Sequence, residues 1–471
     1  MASIFPPIFF RSNTDGTARN GSAALTGTGS DLVELFSACL ICNKACTAVS
    51  GAAFVDNTAA ARTIADAGFK LFQGPTVAVD EAYVGMSSPF KAMRLQFSTP
   101  GVQNAAVTLA WEYWNGSAWV SLAGVSDGTS GLTADGNVTW TMPALSGSGS
   151  WATVSVNGQT MYWVRARFTA GSWTTNPLVS LWTVTGWHQP FQPSANTVVF
   201  RQGGGNQLYL NVNDAGPVTQ LEAHLTGFEQ MSALGIGTGQ FPTVAQLAIG
   251  IGAVVVRKAT AVNATKRQWA MIADDRTFYF FNVSGDTASN YFGYGFGDFY
   301  SYVPNDGFRT FLVGRNVSNN GTFSTIQGLA LMFHQQGGGG VASGAYWARH
   351  WSGTGGSYNY GADADKLTLA ALANPETFAC LGQGQIPFPN ACDGGIYMSM
   401  VQHHDQLANK RGRYRGLWSM GHPIANFTDL DAFGGTGTLT GRTFVVLKAN
   451  GATAANQGLF VLETSDTWEA N

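Results

Sequence analysis

Residues 109–168 constrain the fold more than any other part of the sequence. Apolar and aromatic residues alternate there with polar ones, as at Leu109, Trp111 and Tyr113, and the runs end at Asn-Gly or Asp-Gly pairs. Period-two alternation places alternate side chains on one face of a sheet, and these pairs adopt the positive φ of tight hairpin turns. The pattern therefore predicts an antiparallel module of about five short strands, a β-sandwich.

The composition agrees with a β-rich protein that works in an assembly. The chain has 471 residues, room for two or three domains, and 45% of them are hydrophobic, enough to bury a core. Only 11% are charged and 59 are glycine, which is typical of turn-rich β structure and of a surface partly covered by neighbours. The net charge of −3 argues against nucleic acid as the principal partner.

The sequence predicts neither an export signal nor a membrane span. Residues 4–10 are apolar, but Pro6 and Pro7 interrupt them and no basic residue precedes them. Residues 247–256 have about half the length that a membrane-spanning helix needs. We therefore expect the chain to fold in a cytoplasm, and its five cysteines, an odd number, suit that compartment better than a disulfide framework.

Four segments differ in their sequence texture. Residues 1–30, with Pro, Gly, Ser and Thr and little periodicity, predict an extended N-terminal arm. Residues 31–50 begin with acidic and apolar residues at helical spacing and predict a helix. Residues 51–185 contain the predicted β-sandwich, and residues 186–471 predict further strands with glycine-rich joints.

Several short sequence motifs outside the predicted sandwich, which we call words, are similar to the pattern of one protein family. A capped helix, D-L-x-x-L-x-x-A-C-L, occupies residues 31–40, and G-W-x-x-P-F followed by V-F-R-Q occupies residues 186–202. Later words are GFEQMSALGIGTGQFPT at 227–243, WAMIADDRTFYFF at 269–281, GFGDF at 295–299, RGRYRGLW at 411–418 and FVLETSDTW at 460–468. Across residues 31–48 and 186–471 the chain resembles structural proteins of tailed-bacteriophage virions. The words YWNGSAW and YWVRARF resemble accessory modules of phage baseplate and tail proteins.

The resemblance implies a fold and a function. The fold is mainly β: a discontinuous β-rich host domain with a few helices, formed by residues 31–50 and 186–471, and an inserted antiparallel β-sandwich. The function is that of a non-enzymatic structural component of the tail, baseplate or neck, made in the bacterial cytoplasm and packed as a homo-oligomer with other virion proteins. The alternatives are a capsid-surface decoration protein, an adhesion module that binds a receptor or glycan through the sandwich, and a polysaccharide hydrolase.

Four tryptophans of the predicted sandwich are candidates for contact with a host surface glycan or a partner. They are Trp111, Trp114, Trp119 and Trp173. An exposed indole can stack on a sugar ring, whereas alternating tryptophans in strands also fill a core. Both interpretations are open at this point.

Two clusters near the C-terminus are candidates for a subunit interface. Arg411, Arg413 and Arg415 alternate along one strand and predict a charged face toward solvent or a neighbouring subunit. His403 and His404 precede Asp405 in a predicted polar loop. Catalysis there would need a nucleophile and an orienting partner, and the sequence shows neither, so we predict no catalytic residue.

The sequence predicts no metal and no cofactor. Cys39, Cys42 and Cys46 would share one face of a continued helix, which makes metal ligation conceivable, but no fourth ligand motif lies nearby. Core packing of the three thiols is the favoured interpretation. The glycine-rich residues 235–239 and 250–252 do not continue as a phosphate-binding motif.

Overall fold

The protein is mainly β, as predicted, with two α-helices among the residues that are described. The computed structural model describes residues 4–13, 16–17, 23–29, 31–49, 53–63, 68–74, 80–194, 196–214, 221–242, 251–259, 261–283, 291–318, 343–349, 389–390, 392, 394–396, 398–404, 410–420, 422, 426–448, 459–466 and 468.

The elements of the first part of the chain are β1 (Ile8–Arg11), α1 (Asp31–Leu40), β2 (Lys44–Val49), β3 (Val55–Asp56), α2 (Thr58–Arg62), β4 (Phe69–Lys70), β5 (Asp80–Met86), β6 (Ala92–Thr99), β7 (Val102–Trp114), β8 (Trp119–Ser121), β9 (Ser126–Asp127), β10 (Gly136–Thr139), β11 (Val154–Val156), β12 (Gln159–Thr175) and β13 (Leu178–Thr183). They are followed by β14 (His188–Ser194), β15 (Thr197–Arg201), β16 (Tyr209–Asn213), β17 (Glu222–Phe228), β18 (Gln230–Ala233), β19 (Ile236–Thr238), β20 (Ile251–Arg257), β21 (Trp269–Ala273), β22 (Thr277–Val283), β23 (Tyr291–Asp298), β24 (Tyr300–Ser301), β25 (Thr310–Ser318), β26 (Ser343–Trp347), β27 (Met398–His404), β28 (Lys410–Met420), β29 (Ala432–Gly434), β30 (Thr443–Lys448) and β31 (Leu459–Glu463).

The described strands pair antiparallel in four sheets and a hairpin. The large sheet has eleven strands in the order β1-β21-β22-β23-β25-β20-β17-β16-β15-β14, with β26 added at β25. The seven-stranded sheet has the order β3-β2-β5-β12-β7-β8, with β11 added at β12, and the five-stranded sheet has the order β4-β13-β6-β10-β9. The C-terminal sheet has the order β24-β28-β31-β30-β29, with β27 added at β28, and β18 and β19 form the hairpin.

Strand β22 shows how the layers around the large sheet are built. All seven of its residues are buried, so both faces of this continuous apolar run are covered. On one face Phe278 and Phe280 contact Phe36 of α1, with ring centroids 5.4 and 5.1 Å apart. On the other face the ring centroid of Tyr279 lies 6.5 Å from that of Tyr414 on β28. The large sheet therefore lies between α1 and the C-terminal sheet.

Charged side chains from the large sheet hold the first turn of α1. Leu32 N donates to Asp214 Oδ2 over 3.0 Å, and Lys258 Nζ lies 2.5 Å from Asp214 Oδ1 and 3.2 Å from Asp31 Oδ1. Carboxylates at a helix N-terminus accept amide protons that have no partner within the helix. The side chains of Lys258 and Asp214 are fully buried, and burial raises the pKa of Asp214 to about 7 although Lys258 opposes the rise.

Strands β2 to β13 form a module that pairs only within itself. All their partners lie in the five-stranded and seven-stranded sheets, and side chains of both sheets share one hydrophobic cluster. The two ends of the module are adjacent, because Val184 N donates to Ile41 O over 2.9 Å and the Thr185 hydroxyl donates to Leu40 O. The chain thus leaves the host part and returns to it at one point, as an inserted module requires.

The hairpin from β11 to β12 forms at a predicted turn. Asn157 and Gly158 both have positive φ, 48° and 73°, as a tight two-residue turn between twisted strands demands. Along β12, Val164, Ala166 and Phe168 all belong to the hydrophobic core. The alternation seen in the sequence therefore places one face of this strand inside.

The module begins earlier than the sequence predicts. Strand β2 pairs with β5 along all six of its residues, so residues 44–49 belong to the seven-stranded sheet and not to the predicted host segment 31–50. The helix ends at Leu40, and the carbonyls of Leu40 and Ile41, which a longer helix would use, accept from Thr185 and Val184 instead. Beyond them, Arg62 Nε donates to Cys42 O and Nη2 donates to Asn43 O, each over 2.8 Å.

The three clustered cysteines consequently do not share a helix face. Cys39 is on α1, Cys42 follows the helix, and Cys46 is on β2. All three are buried free thiols, which agrees with core packing. Burial raises the pKa of Cys42 to about 11 and that of Cys46 to about 12, so both are protonated near neutral pH.

The predicted extended N-terminal arm belongs to the protein's own fold where it is described. Strand β1 pairs with β21 at one end of the large sheet, and Phe10 and Leu25 are fully buried. Arg267 N also donates to Leu25 O over 2.7 Å. The segment is fixed because its apolar side chains complete the protein's own core, which the low periodicity of residues 1–30 did not reveal.

Candidate functional site

Two of the three alternating arginines of β28 are buried, not exposed as predicted. Arg411 and Arg415 have relative exposures of 2% and 3%. Arg413 is half-buried, and its guanidinium lies 5.7 Å from the ring of Tyr302, which is exposed. The interpretation of Arg411 and Arg415 as a solvent-facing charged surface is therefore corrected: acidic residues from distant parts of the chain cover them.

Arg415 binds Asp274, which stands at the turn between β21 and β22. Arg415 Nη2 lies 2.5 Å from Asp274 Oδ2, and Nη1 donates over 3.0 Å to Oδ1. The same Oδ1 accepts the amide protons of Arg276 and Thr277 over 2.9 and 2.8 Å. Burial by itself lowers the pKa of Arg415, but the Asp274 carboxylate outweighs it and raises that pKa. Arg415 therefore keeps its charge and binds Asp274 through both terminal nitrogens.

Aromatic rings and a glycine enclose Arg415. Its guanidinium lies 5.5 Å from the ring centroids of both Tyr300 and Trp468. Trp468 lies against Gly416, where a Cβ atom would meet the indole at 2.2 Å and φ is +63°. Only glycine fits both constraints. The G in RGRYRGLW is thus required by the approach of the C-terminal tryptophan.

Arg411 binds Asp306 in the loop before β25. Its Nη2 lies 3.1 and 3.2 Å from the two carboxylate oxygens, and it also donates over 3.0 Å to Phe308 O. The guanidinium lies 5.2 Å from the ring of Phe299. Both charged side chains are 1% exposed, so they compensate each other's loss of solvation.

Asp298 joins β23 to the loop between β15 and β16. It accepts hydrogen bonds from Thr310 Oγ1 over 2.7 Å, from Gln202 Nε2 over 3.1 Å and from Asn206 N over 3.1 Å. Gly205 in that loop has φ +63°, and a Cβ atom there would lie 2.1 Å from Asp298 Oδ2. The loop approaches this closely because residues 203–205 are all glycine.

These contacts form one continuous cluster, which we call the sheet junction. Its members come from five of the sequence words quoted above, with Asp306 added from outside them. They are Trp187, Gln202, Asp274, Thr277, Asp298, Asp306, Arg411, Arg415 and Trp468. Trp187 Nε1 donates over 2.5 Å to Asp274 O, and Thr277 Oγ1 donates over 2.8 Å to Asp298 O. The words are visible in the sequence but their common location is not, because the residues that contact one another are 21 to 141 positions apart.

The sheet junction holds strands together and offers little to catalysis. Asp274 and Asp306 are each engaged by an arginine, and the carboxylate of Asp298 accepts several hydrogen bonds. Burial also raises the pKa of Tyr300, beside Arg415, to about 12, which keeps its phenol protonated. Among the residues described, no group of three or more His, Cys, Asp or Glu side chains is arranged to hold a metal ion.

Trp111 and Trp173 belong to the core of the module, which corrects their interpretation as glycan contacts. They are 4% and 3% exposed. Trp173 stacks on Phe72 with centroids 5.9 Å apart and meets Phe168 at 4.3 Å. An indole with so small an exposed fraction has no free face for a sugar ring.

Trp114 and Trp119 lie instead in a line of rings on the other face of the seven-stranded sheet. The line, which we call the aromatic strip, comprises Phe54, Tyr83, Trp119 and Trp114. Successive ring centroids are 5.7, 5.6 and 5.7 Å apart in T-shaped geometry. Phe54 is 39% exposed and both tryptophans are half-buried, while Tyr83 is buried between Phe54 and Trp119.

A charged network lies beside the aromatic strip. Arg165 bridges two carboxylates: its Nη1 lies 2.6 Å from Glu81 and its Nη2 lies 2.6 Å from Glu112. Arg167 Nη2 also binds Glu112 over 2.6 Å. Burial by itself raises the pKa of Glu112, but hydrogen bonds from Arg167 and Arg165 outweigh it and lower that pKa. Arg165 also lies 4.7 Å from the ring centroid of Trp119. The sequence showed the tryptophans but not these charged neighbours.

His403 and His404 are on strand β27 and not in a loop, because they pair with Gly412 and Lys410 of β28. Their side chains lie outside the described residues, so their predicted interface role stays a prediction.

Comparison with known proteins adds no relative. No protein-family model matches the chain, and no curated protein matches its sequence significantly. Within the described part of the chain, none of the helices has the length and apolar character needed to cross a membrane.

Proposed function

We propose that the protein is a non-enzymatic structural component of a tailed-phage virion, in the tail, baseplate or neck, that acts by packing with other virion proteins. The observation that supports this proposal most is the sheet junction. Five words that resemble virion proteins meet there, where Arg415 of one word binds Asp274 of another and Gln202 binds Asp298. In this arrangement each word stabilises the fold, as expected for a structural protein of an assembly.

The module supports the same proposal. Its two ends meet at the hydrogen bond between Val184 N and Ile41 O, so the chain enters and leaves it at neighbouring points. Contacts such as Ser88 Oγ to Phe9 O at 2.7 Å and Lys91 Nζ to Asp466 Oδ2 at 2.8 Å link it to the large sheet and to the C-terminal segment. An accessory module held in this way adds a surface to a structural protein without interrupting its sheets.

Antibody labelling of purified phage particles in the electron microscope tests the proposal and its position. Label at the tail, baseplate or neck is the expected result. Label over the capsid surface would support the decoration alternative, and particles without label would contradict a virion role. Release of reducing sugar from host polysaccharide by the pure protein would contradict the non-enzymatic assignment.

A further inference from the structure

From the aromatic strip and its charged neighbours we infer a binding site for a neutral oligosaccharide on the outer face of the seven-stranded sheet. The site comprises the open surfaces of Phe54, Trp119 and Trp114, with Glu81 and Arg165 beside them. It goes beyond the proposed function, because assembly with virion proteins does not require recognition of a sugar.

The orientation of Trp119 is the first argument. The Arg165 guanidinium lies 4.7 Å from its ring centroid and covers one face. Tyr83 and Trp114 contact it in T-shaped geometry. The indole is nevertheless partly open to solvent, as a contact with a sugar ring requires. A sugar ring packs its C–H face on an indole face of this kind, and the cation–π contact beneath holds the indole in place.

Polar groups next to the rings are the second argument. The Glu81 carboxylate accepts from Arg165 Nη1 and from the Tyr83 hydroxyl, and its side chain is 24% exposed. A carboxylate has about four acceptor positions, so Glu81 retains capacity for sugar hydroxyls. A few oriented polar groups beside an apolar surface are what fixes the pose of a small ligand.

The charge balance argues for a neutral ligand. Three ion-paired acids and three bases share this face: Asp56, Glu81, Glu112, Lys44, Arg165 and Arg167. Their formal charges cancel. Single-stranded nucleic acid also stacks on aromatic rings, but its phosphates need an excess of basic side chains, which these pairs do not supply.

The size of the strip argues for a short ligand. Phe54 is 39% exposed and the two tryptophans are less exposed. Together the three side chains present a solvent-accessible surface on the order of 200 Å². A stable protein–protein interface covers about 800 Å² on each partner. Phe54 on one side of the buried Tyr83 and the two tryptophans on the other match a short oligosaccharide better than a protein surface.

The test is titration of the full-length protein with cellohexaose, maltohexaose and hexa-N-acetylchitohexaose, followed by tryptophan fluorescence and calorimetry. At least one of these sugars should bind, and Trp119→Ala should weaken binding by about tenfold or more, as loss of a central tryptophan does. Tyr302→Ala is the matched control, because Tyr302 is an exposed aromatic residue that directly follows β24 of the C-terminal sheet. This variant should leave sugar binding unchanged.

Unfolding midpoints identify variants that lose binding by losing the fold. If Trp119→Ala is unstable, Phe54→Ala and Trp119→Phe take its place, since Phe54 is exposed and a phenyl ring keeps part of the stacking surface. Absence of binding to all three sugars at millimolar concentration would overturn the inference, as would equal binding by wild type and a folded Trp119→Ala. Loss of virion incorporation by Trp119→Ala without sugar binding would identify a protein docking surface instead. Normal labelling of particles in either case leaves the proposed function intact.

Discussion

Arg415 and Asp274 form a buried two-point ion pair across 141 positions of sequence. The pair joins the C-terminal sheet to the turn between β21 and β22 of the large sheet. Trp187 and Trp468 contact its two partners. The sequence words around these residues therefore each supply one component of the same junction.

Breaking this pair should destabilise the protein strongly. Arg415→Met leaves Asp274 charged and buried without its partner, and we expect a loss of about 3–5 kcal/mol in the free energy of unfolding. Urea unfolding measures it. Arg413→Met on the same strand is the control, because Arg413 is half-buried and lies over the exposed ring of Tyr302. Equal stability of the two variants would contradict the role of the sheet junction.

The N-terminal segment should be necessary for stability. Phe10→Ala removes a fully buried ring from β1 and should cost about 3–5 kcal/mol. Phe9→Ala on the same strand, whose side chain is half-buried, should cost clearly less. Thermal unfolding of the two variants separates these outcomes. If both melt like wild type, the segment is an arm that the fold does not need.

Removal of the module should leave a folded host part when the cut follows the observed boundaries. Deleting residues 44–183 and joining Asn43 to Val184 by a short Gly-Ser linker removes all the strands of both module sheets. We expect a cooperative melt, with lower stability than the full chain. Deleting residues 52–184 instead leaves β2 without its partner β5 and should aggregate. Aggregation of both variants would contradict insertion.

The cluster at the start of α1 should make stability depend on pH. Burial raises the folded-state pKa of Asp214 to about 7 from 3.8. The folded state therefore binds the proton more tightly, and this contribution is fully present below about pH 4 and lost as the pH rises to about 7. The unfolding free energy of wild type should fall over this window relative to Asp214→Asn. A constant difference between the two proteins across the window would contradict the assignment.

Local signals in the sequence predicted the module well. Asn157 and Gly158 marked a hairpin because their preference for positive φ is intrinsic to the residues. Helix α1 began where predicted for the same reason. The helix does not continue through the predicted segment 31–50, since Thr185 and Val184 bind the carbonyls of Leu40 and Ile41 from distant positions.

The candidate sites were less predictable because burial is a property of the whole fold. Alternation placed Arg411 and Arg415 on one strand face, but only the fold brings Asp306 and Asp274 against them from 105 and 141 positions away. Trp111 and Trp119 look equivalent in sequence. The first faces the core and the second lies over Arg165, because they occupy opposite faces of the sheet.

The central claim is that the protein is a structural part of a tailed-phage particle. Quantitative mass spectrometry of gradient-purified particles, from the phage whose genome encodes the chain, tests it most directly. We expect the full-length chain in a fixed copy number per particle, in a whole-number ratio to other virion proteins. Absence of the chain from particles that are otherwise complete and infectious would contradict the claim.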